Sequence, residues 1–137
     1  MKPIFHARSS VKDFGGVISD YIEIHEFLDS SKSALADNRH RCLTHNSWFI
    51  STVIPKIFGN SFVNSAGIEV STREIAERHI LEDFKGKYIP TASDYLEHLE
   101  YQDWMQNGNN DSIPTSVRKL FGSRKKKTIT YKEFTNV

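Results

Sequence analysis

Asp37, His40, Arg41, His45 and Trp48 fall at i, i+3, i+4, i+8 and i+11, the spacing of one face of an α-helix. Thr44 fills the remaining place in the stripe. This spacing predicts a long helix from about Lys32 to Phe58, with Leu35, Cys42, Leu43, Phe49, Ile50, Val53 and Ile54 on its apolar side. Pro55 should end or bend that helix, because proline lacks the amide donor. A stripe of two imidazoles, a guanidinium and a carboxylate can bind an anion, hold a metal with outside help, or move protons. It can equally be a buried hydrogen-bond network that only fixes the fold. Asp37 and Arg41, at i and i+4, are expected to pair along the helix, with Arg41 partly buried.

The remaining signals are also helical. Asp20 followed by Glu23 reads as a capping box that opens a short helix, whose inner side is Tyr21, Ile24, Phe27 and Leu28. Asp29-Ser30-Ser31 interrupts it before the longer helix. Residues 1–19 carry few apolar residues in helical register, and Gly15-Gly16 marks a turn. Residues 62–70 place two short apolar runs around an Asn- and Gly-bearing turn, which predicts a small β-hairpin. Ser71-Thr72-Arg73-Glu74 is a second capping box, opening a helix to about Phe84 with Gly86 as its stop. Thr91 should cap a last helix running to about Met105. The expected fold is mainly α, a single domain of about four helices with a small hairpin between the second and third. Its helical domain should span residues 1–106. Residues 107–137 would form a linker and a basic C-terminal segment.

With 137 residues, the chain suffices for one domain with a real core. Its net charge of +1 conceals a division: residues 112–137 are +6 and the rest −5. The bland reading of the basic run at 118–127 is a solvated terminus. The sharper one is an arm for an acidic surface, nucleic acid included, and contact of that kind would be weak and salt-sensitive against an acidic body. Tyr131 and Phe134 favour docking on protein instead. The single cysteine, Cys42, permits no intrachain disulfide, and the N-terminal residues do not read as a secretory signal. Both favour a reducing, cytoplasmic setting. No apolar run approaches the ~20 residues that span a bilayer.

Two further His/carboxylate pairs lie one helical turn apart: His79 with Asp83, beside Glu82, and His25 with Asp29. Such a pair can share a metal, or the carboxylate can orient the ring. The plain alternatives are a hydrogen-bonded core histidine for His25 and a surface pair for His79 and Asp83. Gly-rich phosphate loops, His-Glu-x-x-His and nucleophile turns are all absent from the sequence. Cys42 lies on the apolar side and reads as core. The pattern is similar, as a type of all-helical metal site, to that of the helical metal-dependent phosphohydrolases with an adjacent His-Asp pair. Here no His is directly followed by Asp; the nearest pairs are His45-Asn46 and Glu82-Asp83.

A closer resemblance covers roughly residues 6–96. His6-Ala7-Arg8-Ser9-Ser10, Phe14-Gly15-Gly16, Asp20-Tyr21, Ile24-His25, Phe27, Asp29 and Lys32 resemble a family of short, His-rich, mainly helical proteins from bacteriophages and bacteria. So do Asp37-x-Arg39-His40-Arg41-x-Leu43-x-His45, Phe58-Gly59, Asn64-Ser65-x-Gly67, His79, Glu82-Asp83 and Ile89-Pro90-Thr91. That family is a domain of unknown function, so the resemblance implies no activity. Where its members carry a second His after the position of His45, this chain has Asn46.

Two functional readings remain open. One is a small phage-type or bacterial accessory protein with an inter-helical site that binds a divalent metal and hydrolyses a phosphate-bearing substrate. His25, His45, His79 and Asp83 would be the metal ligands, Arg41 would neutralise the anion, and His40 would carry protons or support a ligand. The other is a non-enzymatic protein that binds a host protein or nucleic acid, with the polar stripe structural. Either admits a homo-oligomer.

Overall fold

The computed structural model describes residues 1–96, and the expected tail, its linker and most of the last helix lie outside them. The fold is mainly helical with one two-stranded antiparallel hairpin. Helix α1 (Pro3–Phe14) packs against α2 (Ile22–Asp29), and α2 packs against α5 (Thr72–Asp83). Between α2 and the hairpin come two short helices, α3 (Arg41–Thr44) and α4 (Ile54–Phe58). Strands β1 (Ser61–Val63) and β2 (Glu69–Ser71) pair with Phe62 opposite Val70, and a short α6 (Ala92–Tyr95) closes the described chain. The core gathers Tyr21 from just before α2, Ile24 and Leu28 from α2, Phe49, Ile50 and Ile54 from around α4, and Ile75, Ala76 and Ile80 from α5.

Helix α1 departs from the sequence expectation. Its fully buried residues are His6, Ala7 and Ser10, and its apolar stripe is thin: Ala7, with Val11 and Phe14 partly buried against the core. Its ends carry the signal instead: Pro3 stands in the first turn, where a missing N–H costs nothing, and Gly15 stops it at φ +79°. Asp20 does not cap α2. Its Oδ2 accepts from Val17 N at 2.9 Å and from Ser65 N and Oγ at 3.1 and 2.7 Å, which ties a 3₁₀ turn to the hairpin.

The expected long helix over 32–58 is broken into pieces. Ser30–Ser33 and Asn38–His40 form single 3₁₀ turns, His45 leaves the helical region at φ −100° and ψ 60°, and Phe49–Val53 winds as one wide π turn. Asn46 then opens the next turn, its Oδ1 accepting from Phe49 N at 2.9 Å. Pro55 sits at the start of α4, where the break makes it tolerable. With the register lost, Leu43 and Trp48 are exposed. Ser71 caps α5 as expected, its hydroxyl accepting from Glu74 N, but the reciprocal bond from Ser71 N to the Glu74 side chain that would complete the box does not form. Gly86 closes the turn after α5 in the left-handed region, and Thr91 N donates to Asp94 Oδ2 at 2.7 Å at the start of α6.

One side chain joins three of these pieces. Buried Asn64 accepts from Ala66 N and Ile68 N within the hairpin turn, and donates to Phe14 O and to Tyr21 Oη. Asn64→Ala removes all four bonds at once, although Tyr21 Oη keeps its bond to Gly15 O. It should cost about 3 kcal/mol, since each buried orphan costs ~1–3 kcal/mol and some regain water. Urea melts of the variant measure this, and a loss under ~1 kcal/mol would show that the junction is carried by apolar packing instead.

Candidate metal centre

Helices α2 and α5 face one another, and each carries a His and an Asp one turn apart: His25 and Asp29, His79 and Asp83. The i,i+4 spacing puts each pair on one helix face, and the packing turns both faces inward. His45, at the end of α3, enters from a third side, and His6 of α1 from a fourth. All four imidazoles are fully buried.

Four donor atoms meet in the middle. His45 Nε2 lies 2.8 Å from Asp83 Oδ2 and 3.7 Å from Asp29 Oδ1. His79 Nε2 lies 3.3 Å from Asp29 Oδ1 and 3.4 Å from Asp83 Oδ2. Asp29, His45, His79 and Asp83 thus offer four atoms within 4.8 Å of one another. A second group that satisfies the same spacing is His6, His25 and His79.

The hydrogen bonds fix the state of His45. Thr44 Oγ1 donates to Leu28 O at 2.6 Å, so its proton is spent. It can only accept from His45 Nδ1, 2.8 Å away. The network therefore puts a proton on His45 Nδ1, and the neutral ring has its bare Nε2 aimed at two carboxylates. By the same logic Ser31 donates to Thr44 at 3.0 Å and accepts from His40 Nδ1 at 2.7 Å. His40, a residue singled out in the sequence, is thus a buried member of the layer behind His45.

Burial pushes His25 down to about 3 and His45 down to about 4, so both rings are neutral near pH 7. Burial alone would raise Asp83, but the imidazoles of His45, His6 and His79 hold it well below the usual carboxylate range. Asp29 is likewise held low against burial, by His79 and by Lys32, whose Nζ is 3.5 Å from Asp29 Oδ2. His6 moves the other way: its burial is outweighed by Asp83 and Glu82, which raise it. Its Nε2 is 3.2 Å from Asp83 Oδ1 and its Nδ1 3.6 Å from Glu82 Oε2.

The expected Asp37–Arg41 pair does not form. Asp37, exposed, accepts instead from the backbone N, Nε and Nη2 of Arg39, because the chain there is a 3₁₀ turn and not a continuous helix. Arg41 is partly buried as expected, but it turns to the site. Its guanidinium stacks over the Phe84 ring at 5.2 Å, with Nη2 4.0 Å from Asp83 Oδ1 and Nε buried without a partner among the described residues. The α-amino group of Met1 also lies 3.3 Å from Asp83 Oδ1.

Of the metal candidates read from sequence, the structure brings His45, His79 and Asp83 to one point. His25 stands on the far side of the His79 ring, its Nδ1 2.9 Å from His79 Nδ1. Asp29 and His6 were not named as ligands. Asp29 had its signal in the i,i+4 spacing to His25, read as a carboxylate serving that ring. His6 had only its place at the head of the family resemblance, because α1 itself was not visible.

Among the described residues, no helix is long and apolar enough to cross a membrane. No curated protein and no solved structure matches the chain. A family model covers residues 1–105, a span that takes in all six clustered side chains and most of the sequence. The chain belongs to the family described as a domain of unknown function, DUF6915.

Proposed function

We propose that Asp29, His45, His79 and Asp83 hold one divalent metal ion, and that the ion supports hydrolysis of a phosphate-bearing substrate. The observation that carries this reading is the contact of His45 Nε2 with Asp83 Oδ2 at 2.8 Å. The network puts a proton on Nδ1, so in the neutral His45 ring the Nε2 lone pair faces an ionised carboxylate in a buried site. A cation between them turns the repulsion into coordination. Two carboxylates balance a 2+ charge, and two imidazoles with two carboxylates suit zinc, manganese or iron(II) better than calcium. Such an ion supplies Lewis acidity and an activated water at neutral pH. Arg41, stacked on Phe84 with its Nε unused, would meet the anionic group. His40 is bound to Ser31 and 3% exposed, so it serves behind His45 and carries no proton to substrate.

Elemental analysis should find one metal per chain after loading with manganese or zinc. The loaded protein should hydrolyse phosphomonoesters or nucleotides in a chelator-sensitive way. Arg41→Ala should raise KM by about tenfold or more while metal content stays at one, the pattern of a lost charge-assisted anion contact. Failure of the wild-type protein to retain any divalent metal would end the metal reading. Bound metal without phosphoester turnover on a broad panel would end the hydrolase reading alone.

A further inference from the structure

We infer that His25 and Ser10 are positioning residues that lock His79 with its Nε2 turned to the two aspartates, so that the three-imidazole layer is a hydrogen-bonded support and not a second metal pocket. The inference rests on the metal reading for its consequence, but its geometry stands on protein contacts alone.

The chain of bonds has one consistent direction. Ser10 Oγ donates to His6 O, one turn back along α1, at 3.2 Å. With that proton committed, Ser10 can only accept from His25 Nε2, 2.8 Å away. Two ring nitrogens at hydrogen-bond distance share one proton, and with the proton of the His25 ring given to Ser10 from Nε2 its Nδ1 is the acceptor. Facing it at 2.9 Å is His79 Nδ1, which must be the N–H that donates. His79 is left with a bare Nε2, the atom 3.3 and 3.4 Å from Asp29 and Asp83. Each link is buried, so water does not compete for it. His6 closes the layer from the other side, its ring stacked on that of His79 with centroids 3.7 Å apart.

The alternative is a second ion among His6, His25 and His79. It would need His79 to give up its Nδ1 proton and bridge two metals. It would also need His25 to turn its only bare nitrogen from His79 to the ion. Both nitrogens of His25 already have partners, and the His6 nitrogens, which make no hydrogen bond among the described residues, face Asp83 at 3.2 Å and Glu82 at 3.6 Å. A hydrogen bond to the far nitrogen of a ligand imidazole is the usual device for fixing its tautomer and raising its basicity. Here a histidine supplies it where a carboxylate or carbonyl more often does.

Histidine-selective ¹⁵N NMR on the full-length protein, metal-free and zinc-loaded, reads the tautomers directly. His25 is expected as Nε2–H in both samples, and His79 as Nδ1–H with zinc on Nε2. Zinc titration should give one ion per chain. Ser10→Ala and His25→Ala should weaken zinc binding by about 10–100-fold at unchanged stoichiometry. His25→Asn, whose Oδ1 can stand where Nδ1 accepted, should recover most of that loss and also serves if the alanine variant folds poorly. A His25 nitrogen bound to zinc, a second ion per chain, or an Asn variant as weak as the Ala variant would overturn the inference. No zinc uptake by the wild-type protein would instead remove the metal reading, and the His25 and His79 tautomers in that sample would still decide the support layer.

Discussion

Chelator-stripped protein is expected to melt at least ~10 °C higher once a fitting divalent ion is added in excess. An ion that binds only the native state stabilises it by about 4 kcal/mol at a thousand times its Kd. A domain near 100 residues gains roughly 4–8 °C per kcal/mol. The gain should vanish on adding EDTA, and Asp83→Asn should abolish it, since that side chain touches both imidazoles that face the centre. Differential scanning calorimetry at matched ionic strength separates this from nonspecific salt effects. A shift of equal size in Asp83→Asn would place the ion elsewhere.

The second large effect is acid lability of the metal-free protein. His25 and His45 have folded-state values near 3 and 4, against an ordinary 6.5. Both are depressed, so below pH 6.5 the unfolded chain takes up protons that the native state refuses. Stability is full above that pH and is lost progressively as the pH falls toward 4. His6, whose value is raised, opposes the trend by gaining charge in the fold. Asp29 and Asp83 are held low, so their contribution is lost only below the ordinary carboxylate range and stays outside this window. At ~1.4 kcal/mol per pH unit for each depressed ring, the net loss from pH 7 to 4.5 is on the order of 4 kcal/mol, a large share of a domain's stability. Urea melts at pH 7.0, 5.5 and 4.5 measure it. A flat or rising stability across that range would mean that the two rings are charged in the fold.

The sequence was legible where one side chain or one short pattern decides the local structure. The Ser71 helix cap, the turn around Asn64 and Gly67, and the stop at Gly86 each depend on near neighbours, and each formed where expected. The i,i+4 pairs His25/Asp29 and His79/Asp83 were visible for the same reason. What failed was continuity. A spacing of polar residues over 37–48 looks helical, yet propensity there is overruled by tertiary demands: His40 is drawn to Ser31, His45 to Thr44 and Asp83, and Tyr95 Oη donates to His45 O. Helix α1 failed for the opposite reason. Its inner face mixes buried His6 and Ser10 with a thin stripe of Ala7, Val11 and Phe14, so the apolar periodicity is diluted by polar residues that are also buried. The two misses are linked: a polar centre inside a small domain replaces apolar signal at the positions that build it.

Asp29 and Asp83 reach the same two imidazoles from points far apart in the chain. On the proposed reading, an ion between them is a removable cross-link that ties α2 to α5 across everything between. In polymer terms it closes a loop of some fifty residues, and closing a loop of that size by a permanent bridge would remove about 4 kcal/mol of unfolded-chain entropy. A chain without disulfides would thereby have a staple that works in a reducing environment and opens with the supply of metal rather than with the redox state.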